Sequence, residues 1–162
     1  MSASAIDVRM TVNGEAVAES VEPRTTLVDF LRETLGLTGS HVGCEHGVCG
    51  ACSVRVDGAV VRGCLMLAVQ CDGARVDTIE GVSDVGEIAD LQAAFERRNA
   101  LQCGYCTPGM LLGAQALLAA GAVPSREEIR EHISGNYCRC TGYHAIVDAI
   151  ESVAQARAGG KP

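Results

Sequence analysis

Eight of the nine cysteines in the chain fall into two groups of four: Cys44, Cys49, Cys52 and Cys64, then Cys103, Cys106, Cys138 and Cys140. Thiolates are soft ligands, suited to iron or zinc. The first group has two short gaps and then a distant fourth thiol, which is the plant-type spacing for an iron–sulfur cluster. The second group pairs a CxxC with a CxC across residues 107–137, so the chain must fold back to bring both pairs to one point. Four thiolates can also close a tetrahedral zinc site, and the second group taken alone leaves that choice open. The first group tips the balance: two clusters in one chain make a path for electrons, whereas a zinc would leave the first cluster isolated.

The first group sits in HVGCEHGVCGACSV, where Gly43, Gly47 and Gly50 alternate with three cysteines. Glycine lets the backbone come close and take positive φ, so amide N–H groups can point at cluster sulfurs and tune their potential. The bland alternative is an ordinary glycine-rich loop, but exposed thiols without metal would be a liability there. Other candidates carry less. His46 follows Cys44 by two residues, as in a Rieske site, yet no second Cys-x-x-His follows. His41, His132 and His144 read as surface or helix-end residues. Arg139, between two cysteines, either raises a cluster potential or is simply solvated. Cys71, the odd cysteine, reads as a small buried residue.

These thiols need a scaffold. Ile6, Val8, Met10 and Val12 alternate with polar residues, the period of a half-buried strand, and Asn13-Gly14 is a hairpin turn leading to a second strand through Val17 and Val21. Thr26 can cap a helix with Leu27, Phe30, Leu31 and Leu35 on one face, ended by Gly36. After the cysteine loop, Val54 and Val56 alternate and Asp57-Gly58 turns the chain. Cys64–Val69 and Arg75–Ile79 supply further strand. Hairpin, crossing helix and returning strands describe a β-grasp sheet.

From about Gly81 the pattern becomes helical, with the acidic stretch GVSDVGEIAD as the expected linker. Four helices are expected. Leu91, Ala94 and Phe95 mark the first; Thr107 caps the second, with Pro108 at its first position, through Leu111, Ala114 and Leu118 to Gly121. Pro124, Ser125 and Glu128 form the capping box of the third, and Ile146, Ile150 and Val153 stripe the fourth. Cys103 and Cys106 precede one helix and Cys138 and Cys140 another. Two helix N-termini, with free N–H groups and positive dipole ends, therefore converge on the second group.

Length and composition bound the rest. At 162 residues and 48% apolar content the chain can form one domain or two small ones, but aromatics are only 3% and tryptophan is absent. Two such small domains are marginal on apolar burial alone, so metal centres would also brace the fold. A net charge of −7, with no basic run, argues against nucleic acid. The opening MSASAIDVRMTVNG lacks a leader pattern and a twin arginine, and no apolar run is long enough to span a bilayer. The expectation is a soluble, cytoplasmic protein whose thiols stay reduced until loaded.

At GCEHGVCGAC, QCGYCTPG and GNYCRCTGYHAI the chain closely resembles the small iron–sulfur subunit of the molybdenum hydroxylases, the xanthine dehydrogenase and aldehyde oxidoreductase family. The match covers nearly the whole chain. The resemblance implies an α+β protein with a β-grasp ferredoxin-like [2Fe-2S] domain over residues 1–80 and a four-helix [2Fe-2S]-binding bundle over 81–162. It implies an electron-transfer subunit that does not bind substrate and is inactive alone. In the family, the cluster on Cys103, Cys106, Cys138 and Cys140 lies nearest a molybdopterin cofactor on a large subunit. The cluster on Cys44, Cys49, Cys52 and Cys64 passes electrons on, usually to FAD on a medium subunit. Gln102 matches the family residue that hydrogen-bonds the pterin; it could otherwise be a polar cap. Substrate stays open among xanthine, an aldehyde, carbon monoxide, an N-heterocycle and an acyl-CoA ester.

Overall fold

The computed structural model describes residues 5–159. Strand β1 (Ile6–Val12) pairs antiparallel with β2 (Glu15–Val21) through the Asn13-Gly14 turn, where both residues take positive φ. Val8, Met10 and Val12 are buried as the alternation requires, while Ile6, at the strand's start, is 44% exposed. Thr26 caps helix α1 (Leu27–Asp29) by accepting from the Asp29 N–H. That helix runs into a wider turn, Phe30–Thr34, in which Leu35 N–H bonds to Phe30 O at 3.2 Å. Gly36 follows at φ +71.

Beyond the cysteine loop, β3 (Ser53–Val56) and β4 (Ala59–Arg62) form a hairpin on Asp57-Gly58, again with positive φ at both positions. With β5 (Arg75–Asp77) they complete a five-stranded sheet in the order β2-β1-β5-β3-β4, β1 and β5 lying parallel. Two expectations are corrected here. Cys64–Val69 is not a strand: the segment turns, makes one isolated bridge from Leu67 to Thr26 ahead of α1, and winds into a short 3₁₀ turn at Ala68–Cys71. The hairpin turn instead makes the preceding residues, 59–62, the strand. Ile79 likewise leaves the sheet and starts a helix.

Among the described residues the helical half has five helices rather than four. The acidic stretch expected as linker forms α2 (Ile79–Asp84), whose Ile79 and Val82 are buried, and a turn at Gly86 leads into α3 (Ala89–Arg97). Helix α4 (Thr107–Ala119), α5 (Arg126–Ile133) and α6 (His144–Gly159) follow. The capping box on α5 is present, with Ser125 and Glu128 bonding reciprocally. Thr107 is not a cap. It lies inside the first turn, the cap position falls to Cys106, and the Thr107 hydroxyl is buried without a partner.

Each half has its own core. Val8, Met10, Phe30, Leu31, Val54 and Val76 pack beneath the sheet, and Leu91, Phe95, Met110, Ile129, Ile146 and Ile150 fill the bundle. The halves meet where α4 crosses β3. A Cβ on Gly109 of α4 would lie 2.2 Å from Gly50 O, so only glycine permits this approach of helix to cysteine loop. Asn136 Nδ2 donates to the same carbonyl at 3.3 Å, and Arg62 reaches across from β4 to Gly135 O at 2.8 Å. A second seam is ionic. Arg55 on β3 forks onto both oxygens of Glu87 at 2.7 and 2.9 Å, Glu87 accepts from Gln115 on α4, and Gln115 accepts from Arg157 on α6, which also clasps Asp90 on α3.

Candidate metal centres

The glycine-rich loop turns its amides inward. N–H groups of His46, Cys49 and Val48 point at the Cys44 sulfur and pull its thiol down to about 6. Glu45, Gly47 and Gly50 all take positive φ, the conformation that aims successive N–H groups to one side. Cys44 lies by Cys49, and Cys52, mostly buried, lies by Cys64, with Cys49 also within electrostatic reach of Cys52 and Cys64. Burial pushes the Cys52 thiol up to about 11, so metal loading there must displace a proton.

The second group is also paired. The sulfurs of Cys103 and Cys140 lie 3.6 Å apart, and Cys106 contacts Cys138. Burial drives the Cys106 thiol up to about 12. At Cys138 burial also works upward, but the Thr141 hydroxyl and N–H, at 3.1 and 3.4 Å from the sulfur, outweigh it and hold the thiol below its ordinary value. Tyr143, at positive φ, accepts the Cys138 N–H on its hydroxyl at 2.8 Å. As expected, the two pairs lie just ahead of α4 and α6.

Each group supplies four thiols, and a two-iron cluster takes four, two on each iron. The unpartnered hydroxyl of Thr107, beside Cys106, is a donor that a sulfide-bearing group would satisfy. The donor set thus fits two-iron clusters.

The two groups are neighbours. Tyr137 N–H, one residue before Cys138, bonds to Cys49 O at 2.8 Å. A second bridge joins the loops through Tyr105: its hydroxyl donates to Val42 O at 2.7 Å, its carbonyl contacts His41 Nδ1 at 2.7 Å, and the rings stack at 4.5 Å. This role of His41 was not legible in the sequence. His46 bonds back to Cys44 O and His144 lies by Asp148, both local contacts, whereas His132 on α5 reaches across to Gly113 O on α4. Arg139 is exposed, and Cys71 is fully buried in the sheet core, away from both groups. Gln102 is exposed and donates to Cys140 O at 3.1 Å, which fixes it beside the Cys103–Cys140 pair.

Residues 10–77 match the model of a 2Fe-2S iron-sulfur cluster binding domain, and residues 78–151 that of a [2Fe-2S] binding domain. The chain is 52% identical to the gamma subunit of caffeine dehydrogenase from Pseudomonas sp. (strain CBB1), over 90% of this chain and 89% of that one. It is 51% identical to the small subunit of nicotine 6-hydroxylase from Paenarthrobacter nicotinovorans, over 90% and 87%. Quinoline 2-oxidoreductase from Pseudomonas putida 86 contains a chain of the same fold, with TM-score 0.89 and 49% identity over 98% of this chain and 99% of that one. The chain belongs to the iron–sulfur subunits of the molybdenum hydroxylases. Such an iron–sulfur subunit carries two [2Fe-2S] clusters, one in each binding domain, and serves electron transfer within an oxidoreductase without binding substrate. Among the described residues of this iron–sulfur subunit, no helix is long and apolar enough to cross a membrane.

Proposed function

We propose that the chain relays single electrons from a molybdopterin site on a large subunit to FAD on a medium subunit, in a cytoplasmic complex that hydroxylates an N-heterocycle. The relatives named above act, by name, on caffeine, nicotine and quinoline, which supports that substrate class. Residues 1–80 and 81–162 are the two cluster-bearing units. Cys44, Cys49, Cys52 and Cys64 hold one cluster and Cys103, Cys106, Cys138 and Cys140 the other. When bound, these clusters supply one-electron redox chemistry.

The observation that carries this reading is the hydrogen bond from Tyr137 N–H to Cys49 O, which ties the backbone beside one thiol group directly to a thiol-bearing residue of the other. The seam of Gly50, Gly109 and Asn136 holds that bond in place. Exposed Cys103, Cys140 and Gln102 offer the input face; Gln102, anchored on Cys140 O, orients the pterin. On the other half, Val48 (45% exposed) and Leu65 (63% exposed) flank Cys49 and Cys64 and offer apolar surface to the acceptor.

Metal analysis and spectroscopy test the assignment. The purified complex should hold about four iron and four sulfide per chain and give two distinguishable paramagnetic signals on reduction. Zinc without visible absorption would refute it. Reduction of the complex by a panel of N-heterocycles, aldehydes and acyl-CoA esters, followed by dye bleaching, tests the substrate class.

A further inference from the structure

Arg62 stands between the two thiol groups with no carboxylate to answer its charge. Its side chain is half-buried, and among the described residues no Asp or Glu oxygen lies within ion-pair distance of it. The half-buried arginines of the ionic seam and the bundle are answered: Arg55 by Asp77 and Glu87, Arg126 by Asp148 and Glu151, and Arg157 by Asp90. Arg62 instead donates to two neutral oxygens, the Ser53 hydroxyl on β3 and, at 2.8 Å, the Gly135 carbonyl. Ser53 follows Cys52, Arg62 itself stands two residues before Cys64, and Gly135 lies three before Cys138. Gly135 leaves room for this reach, since a Cβ there would lie 3.0 Å from Arg62 Nη2. A charge drawn out of water needs a counter-charge, and the thiolates of the two groups are the negative partners that can supply it.

From the guanidinium a line of hydrogen bonds runs to one sulfur. Ser53, 1% exposed, turns its own hydroxyl proton to Gly50 O at 2.7 Å. That carbonyl belongs to the same peptide group as the Ala51 N–H, which faces the Cys49 sulfur. Each bond in such a line polarises the next, so a cation at one end strengthens the N–H donor at the other. On the Gly135 side the line ends away from sulfur: the N–H of that peptide, on Asn136, donates to Ile133 O at 2.9 Å. Hydrogen bonds to sulfur and nearby charge set a cluster's potential, and both favour the more negative, reduced form when they are positive in sense.

We propose that Arg62 raises the reduction potential of the centre on Cys44, Cys49, Cys52 and Cys64, through Ser53 and the Gly50–Ala51 peptide, and so tilts the two centres toward the output side. The inference rests on the relay reading above. In each hop one electron leaves the centre on Cys103, Cys106, Cys138 and Cys140, which is oxidised, and enters the other, which is reduced; no bond or proton is exchanged. Arg62 makes that hop more favourable without taking up the electron.

The test is a redox titration of the purified complex followed by its two paramagnetic signals, the one that Cys103→Ser removes marking the second group. Arg62→Gln should lower the first group's midpoint relative to the second's, shifting the sharing of one electron between them about three- to tenfold, roughly 30–60 mV for a one-electron couple. Arg62→Lys keeps the cation and should retain most of the wild-type gap. Ser53→Ala keeps the cation but cuts the line, and should lower the first midpoint by a smaller step with the second unmoved; it also reads the effect where Arg62→Gln loads poorly. Arg24→Gln, which removes an exposed charge paired with Glu22, should change neither midpoint. A merely structural role would move Arg62→Lys as far as Arg62→Gln, because both lose the fork. Unshifted midpoints in Arg62→Gln or Ser53→Ala, or equal shifts in the Gln and Lys variants, would overturn the inference while leaving the relay reading intact. A wild-type complex without two iron–sulfur signals would overturn both.

Discussion

Gly109 and Gly113 lie one turn apart on α4, both buried, and differ in what stands opposite. A methyl group on Gly109 would meet Gly50 O at 2.2 Å and Asn136 Nδ2 at 3.3 Å; one on Gly113 would meet only Asn136 Oδ1, at 3.6 Å. Ordinary contact begins near 3.4 Å, so Gly109→Ala must drive the helix and the cysteine loop apart by more than 1 Å, against a backbone carbonyl that cannot rotate away. Overpacking of this kind costs about 1–3 kcal/mol, with the rigid obstacle placing it near the top, offset by about 1 kcal/mol from the better helix propensity of alanine. Gly109→Ala should therefore lose about 2 kcal/mol and Gly113→Ala gain up to about 1. For a chain of this size that means a midpoint lower by roughly 4–8 °C in the first case and higher by roughly 2–4 °C in the second. Thermal loss of visible absorption in the cluster-loaded chain, followed at one scan rate, reads both. The displacement also lengthens the path between Cys138 and Cys49, so the magnetic interaction between the two reduced clusters should weaken in Gly109→Ala alone. Equal midpoints and equal interaction in the two variants would show that the seam is not as tight as the geometry says.

Cys103→Ser should lose the input centre and stop steady-state turnover while substrate still reduces molybdenum; unimpaired turnover in a variant lacking that signal would contradict the electron order. Cys71→Ala should leave both cluster spectra intact, since its thiol lies in the sheet core, and a lost signal would expose a misassigned ligand. Glu87→Gln should cost about 1–2 kcal/mol near neutrality, because a half-buried forked pair with Arg55 is weakened. The Arg55 guanidinium holds the Glu87 carboxyl below its ordinary value, so this stabilisation is full above the ordinary carboxylate pKa and fades as pH falls through the depressed one. Variant and wild type should thus converge in acid, which denaturant titrations at stepwise lower pH will check. Ser125→Ala should remove the α5 capping box at about 1 kcal/mol, measured by the same melting assay.

Local chemistry was readable in the sequence. Asn13-Gly14, Asp57-Gly58 and the Ser125/Glu128 box each dictate their own geometry within four residues, and all three are as expected. The division of the thiols into two groups of four was read from spacing, and the second group's cysteines lie ahead of α4 and α6 as expected. What escaped was decided at a distance. Cys64–Val69 looks like a strand by composition, but the Asp57-Gly58 hairpin had already used the partner edge of β3. The acidic stretch reads as a linker until Ile79 and Val82 find the helical core. Thr107 has the right type for a cap, yet the turn begins one residue earlier. The Gly50–Gly109 approach and the Tyr105–His41 bridge join residues far apart in sequence, and no periodicity announces them.

The Gly50 carbonyl accepts from Ser53 on its own side and from Asn136 on the other, with Gly109 pressed against it. A chimaera that exchanges one half between relatives inherits only part of this fit. Such halves would be portable only as a matched set of glycine, glycine and asparagine, and a mismatched graft could bind both cofactors yet conduct poorly between them.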